Sequence, residues 1–72
     1  MINLETEKKW VWDEEENQLV ERTQIFVQLV GTAGSVFLEE GPLFVKDPKE
    51  IIEAFMLLRS RLQKKVADSI DL

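Results

Sequence analysis

From Asp47 onward the apolar residues recur at helical spacing. Plotted at about 100° per residue, Ile51, Phe55, Leu58, Leu62, Val66 and Ser69 share one stripe, with Ile52 and Ile70 on its edge. Asp47-Pro48-Lys49-Glu50 supplies a start signal for this helix. Asp47 can accept from free N–H groups of the first turn, Pro48 suits the first helical position, and Glu50 completes a capping box. The pattern predicts one amphipathic helix over residues 47–70. Its stripe must be covered by the preceding residues.

Upstream the period changes to two. Lys8-Lys9-Trp10-Val11-Trp12 alternates, with both indoles on one face, and reads as a strand. Residues 14–30 admit two readings. Asp13 with Glu16 forms a second capping box, and Gly31 would close a helix begun there. Against this, Thr23–Val30 is dense in β-branched and aromatic residues, and Leu19, Ile25, Val27 and Leu29 share the parity of a strand. Asn17 suits the left-handed position of a hairpin loop. The hairpin is the better supported reading.

Gly31-Thr32-Ala33-Gly34 then predicts a turn and Ser35–Glu39 a third strand. Glu40-Gly41-Pro42 predicts a second turn, and Leu43–Lys46 a short fourth strand or a lead-in to the helix. Residues 1–7 read as a loosely docked start, with Ile2 and Leu4 tucked under the sheet. The expected fold is α+β in a single domain spanning 1–72. It comprises an antiparallel meander of three to four strands over 8–46 and one long C-terminal helix packed on it.

Apolar positions outnumber the places such a fold can bury them. Val20, Phe26 and Val30 lie on the opposite strand face from Leu19, Ile25, Val27 and Leu29, while Met56 and Leu57 fall off the helical stripe. This surplus predicts burial against another chain, most simply a homodimer. The expected contact residues are Met56, Leu57, Phe26, Trp10 and Trp12. The two indoles suit either a core beneath the helix or an interface, where tryptophan is enriched.

Composition narrows the chemistry. The chain has 72 residues, a net charge of −5, and neither cysteine nor histidine. It is near the lower size limit for an unaided core and contains no disulfide or usual zinc ligand set. Without histidine, cysteine or tyrosine, acid–base candidates reduce to carboxylates and lysines, and no serine sits in a nucleophile-elbow context. Gly31–Ser35 lacks the lysine and spacing of a phosphate loop, and Asp13–Glu16 lacks the alternation and central glycine of a calcium loop. A non-enzymatic protein without cofactor or metal is expected. No apolar run reaches the ~20 residues of a membrane helix, and the first residues lack a signal pattern, which predicts a cytoplasmic protein away from membranes.

Charge is unevenly spread. Residues 1–42 carry three bases against nine acids, whereas 43–72 carry six bases against five acids. Arg59, Arg61, Lys64 and Lys65 form a basic cluster whose ordinary role is to offset the helix dipole. The leading expectation is a self-associating protein-interaction module acting as a regulator, inhibitor or accessory factor of a larger protein machine. The alternative is single-stranded nucleic-acid binding, with the four basic residues on phosphates and Trp10 or Trp12 stacking on bases. A meander followed by one long helix in a small dimer resembles, in architecture and without a shared motif, small single-stranded DNA-binding transcription cofactors. That resemblance implies the nucleic-acid alternative. A third expectation is an acidic decoy in which Glu14, Glu15 and Glu16 engage a basic partner.

Overall fold

The computed structural model describes residues 1–70. Strands β1 (Ile2–Asp13), β2 (Gln18–Val30) and β3 (Val36–Val45) precede helix α1 (Glu50–Ile70). The strands form one antiparallel sheet in the order β1-β2-β3, and α1 packs on it through contacts to β2 and β3. The expected α+β meander with a C-terminal helix is therefore present. The expectation for the Ile70 side chain lies outside the described residues.

The first seven residues are a correction. They are not a loose start, because β1 begins at Ile2 and pairs without interruption from Ile2↔Leu29 to Asp13↔Gln18. The Met1 amino group donates to the Val30 carbonyl oxygen at 2.9 Å, and the Val30 N–H donates back to Met1 at 2.8 Å. The sheet thus starts at residue 2 rather than 8. Ile2-Asn3-Leu4-Glu5-Thr6 already alternates, and this carries the strand back to its first residue.

The β1–β2 connection resolves residues 14–30 in favour of the hairpin. Asp13 Oδ1 accepts from the N–H groups of Glu15 at 2.9 Å and Glu16 at 3.3 Å, as a helix cap would. The turn stops at once because Asn17 adopts φ 54°, reversing the chain into β2. Thr23, Ile25, Val27 and Val30 then extend it as β-branched residues favour.

The second expected turn is also corrected. Residues 40–42 do not separate two strands, since β3 runs through them from Val36 to Val45. Ile25 pairs with Leu43 and Val27 with Glu40, so Gly41 and Pro42 oppose Phe26 alone and form a bulge. The Gly41–Pro42 peptide is cis, and Gly41 has φ +129°. A Cβ at Gly41 would stand 2.7 Å from the Ile25 carbonyl oxygen, so only glycine fits. The bulge inverts parity along β3. Leu38 and Glu40 before it, and Leu43 and Val45 after it, all pair with helix-side residues of β2. Pro42 is tolerated because β3 is an edge strand.

Helix α1 begins at Glu50 rather than Asp47, behind the predicted capping box. The Lys49 N–H donates to Asp47 Oδ1 at 3.0 Å, while Glu50 Oε2 accepts from the N–H of Asp47 at 3.1 Å and of Lys46 at 3.0 Å. The core comprises Ile25, Val27, Val45, Ala54, Leu58 and Leu62, flanked by Leu29, Leu38, Leu43, Ile51 and Phe55. Leu58 and Leu62 keep their expected places, and Val66 is half-buried. Ser69 is exposed and donates to the Lys65 carbonyl oxygen, Ile52 is exposed, and Ala54 joins the core.

Leu58→Ala should lower unfolding free energy by about 2–5 kcal/mol, since Leu58 is fully buried. Gly41→Ala should also destabilise the chain, whereas Ile52→Ala on the exposed helix face should stay within about 0.5 kcal/mol. Urea unfolding followed by circular dichroism measures all three. Equal effects would contradict this packing.

Candidate interaction surface

The hairpin outruns its cover. β3 pairs with β2 only from Thr23 onward, so Lys9–Asp13 and Gln18–Arg22 continue as a two-stranded arm. Five residue pairs at ~3.4 Å each give this arm a length of about 17 Å. The radius of gyration, 14.2 Å, exceeds the ~11 Å expected of a compact chain this long. Two-stranded ribbons are marginal in water without something to pack on.

Trp10 pairs with Glu21 and Trp12 with Leu19 on the arm's helix-side face. Neither indole lies beneath the helix, which corrects the core reading. Trp10 is 67% exposed, Trp12 57% and Leu19 59%. Further down the same face of β1, Ile2 and Leu4 are also exposed, because α1 sits over β2 and β3. On the arm's other face Val11 pairs with Val20, both half-buried. Leu19, Ile2 and Leu4 were not among the expected contact residues. Their even or odd parity already placed them with the indoles, but only the helix's lateral position reveals that they stay uncovered.

The remaining expected contacts are dispersed. Met56 and Leu57 are exposed on the outer side of α1. Phe26 lies on the sheet face away from the helix, half-buried, with its ring against Gly41. Around it Glu5, Glu7, Gln24, Gln28 and Glu39 line an open, acidic groove. Gln28 donates to Glu39 at 2.7 Å, and Asn3 to Glu5 at 2.7 Å. That face therefore pairs several of its polar groups locally, and it also carries the exposed ring of Phe44, opposite Gln24. No group of acidic residues there, or elsewhere among the described residues, is arranged to hold a metal ion.

The basic cluster is fully at the surface, and Lys65 is committed to Glu40 at 2.6 Å. Glu40 pairs with Val27, six residues along β2 from Glu21, the partner of Trp10. That places Lys65 about 20 Å along the sheet from Trp10. The charges close to the indoles are mixed. Lys8 meets Glu21 at 3.8 Å, Lys9 meets Glu7 at 3.4 Å and Arg22 meets Asp13 at 3.4 Å, while Glu14, Glu15 and Glu16 crowd the arm's tip. Indoles and basic cluster do not form one site, and the arm's acids repel phosphates.

No helix among the described residues is long and apolar enough to cross a membrane. The chain matches no protein-family model, no curated protein and no solved structure.

Intrinsic tryptophan fluorescence should be unchanged by a ~20-nucleotide single-stranded DNA at ~50 mM salt. Quenching that disappears at ~200 mM salt would instead mean that phosphates and bases reach the arm.

Proposed function

We propose that the chain is a small non-enzymatic protein-interaction module that self-associates and acts on a larger protein machine as a regulator, inhibitor or accessory factor. One observation carries this reading. Trp10, Trp12 and Leu19 stand side by side on a projecting arm, exposed to water in a domain with a small buried core. Rigid aromatic side chains on a protruding element are typical anchors of protein interfaces. Covering them would remove exposed apolar surface from water and give the arm the packing a two-stranded ribbon needs.

The outer side of α1 supplies a second surface. Ile52, Met56 and Leu57 are exposed there, interspersed with Glu53, Ser60 and Lys64. In this reading the arm serves self-association, and the outer side of the helix faces the protein partner. The acidic loop at Glu14–Glu16 favours partners or partner regions of opposite charge.

Light scattering at ~100 µM should report a dimer, and dilution should shift tryptophan emission toward that of hydrated indole. Trp12→Ala should lower the melting temperature in a concentration-dependent manner, as loss of a subunit contact does. A strict monomer at ~100 µM with emission independent of concentration would overturn the self-associating module.

A further inference from the structure

The two edges of the sheet differ. β3 carries one bulge at Gly41-Pro42 within its pairing and another near its start, between Val36 and Leu38, features that block further strand addition. β1 has twelve residues in constant register with β2, no proline and no bulge, and its outer side pairs with nothing. Because Met1 and Val30 exchange both backbone hydrogen bonds, the odd residues of β1 face β2 and the even ones point N–H and C=O outward. Ile2, Leu4, Trp10 and Trp12, the exposed apolar residues of the strand, are all even.

These four positions are palindromic about residue 7. Antiparallel pairing with an identical strand, with Glu7 opposite itself, sets Ile2 against Trp12 and Leu4 against Trp10, twice over. It also sets Glu5 against Lys9. No other register brings all four apolar residues onto one another. A shift by two residues in one direction opposes Glu5 with Glu7, and in the other it opposes Lys8 with Lys8 and leaves Trp10 against Thr6. The two-fold axis then passes through a pair that makes no mutual hydrogen bonds, while six even pairs provide about a dozen backbone bonds.

We propose that the free edge of β1 binds β1 of a second copy of this chain in that register, giving a six-stranded sheet with both helices on one face. The inference rests on the self-association proposed above and names its surface. The arm of each copy lies against residues 1–5 of the other, where no helix covers the sheet. Each pair of indoles thereby acquires the apolar neighbours its own subunit does not supply. Glu7 opposite Glu7 is the one unfavourable contact, and each glutamate has Lys9 of its own strand 3.4 Å away.

The chain has no cysteine, so one introduced thiol reports register without ambiguity. Facing residues of a non-hydrogen-bonded pair stand ~4.5 Å apart at Cα, within disulfide range. Glu7→Cys should therefore oxidise nearly completely to a linked dimer, whereas Leu57→Cys on the outer helix should stay largely unlinked. Lys9→Glu should weaken the dimer about tenfold, and adding Glu5→Lys should restore it to within about threefold, as swapped cross-strand charges do. If the native chain is a dimer but Glu7→Cys does not link, or the double variant is no better than Lys9→Glu, this register is wrong and self-association stands. If sedimentation finds only monomer at ~100 µM, both proposals fail.

Discussion

One helix is the only cover this sheet has among the described residues, and its dimensions set the shape they take. A helix of 21 residues is about 31 Å long and roughly 10 Å across. Three strands spaced about 4.8 Å apart, the longest of 13 residues, present a face both wider and longer than that. The capping box at Asp47 and Glu50 pins one end of α1 beside the end of β3, and the ion pair of Lys65 with Glu40 lies further back along the same strand. The helix is thereby centred over β2 and β3. The flank of β1 and the tip of the hairpin are left out, and the chain becomes 46 Å long but only 19 Å thick.

That geometry explains which features were legible in the residues. Periodicity placed α1, and for β2 the shared parity of Ile25 and Val27 was joined by the β-branched density of Thr23–Val30. Asn17 marked the hairpin loop, because a left-handed position demands such a residue. The path of β3 was hidden by a local rule that is usually sound. Glycine followed by proline normally ends a strand, but on an edge strand the pair can instead form a bulge that reverses parity. Leu38 and Leu43 then serve one face despite an odd spacing.

The uncovered apolar residues were legible in kind but not in place. A surplus of apolar residues was evident, yet assigning Trp10 and Trp12 to core or surface needed the lateral position of the helix. Nothing in the alternation of β1 encodes that position. Phe26 shows the reverse error. It looked unaccounted for on the far face, but the chain's own bulge brings Gly41 against its ring. The charge pattern was read at the right residues, and its meaning depends on distance. Four basic residues and two indoles are one site only if they are adjacent, and α1 carries the basic residues toward the opposite end of the sheet.

The asymmetry of the two edges would give the proposed dimer a natural limit. A sheet with two open edges would add copies indefinitely, and an isologous contact at β1 uses the same edge on both subunits. What remains at the ends of the joined sheet is β3, which the bulges and Pro42 make a poor template. Gly41 and Pro42 therefore have two consequences for one local distortion. They turn Leu38, Leu43 and Val45 together toward the helix, and they leave the outer edge irregular. The regular edge is β1, and its charged centre of Glu5, Glu7, Lys8 and Lys9 tolerates one partner far better than many. An antiparallel strand meets Glu5 with lysine and Lys9 with glutamate when it carries the same order of charges along its own chain. A second copy of β1 is such a strand.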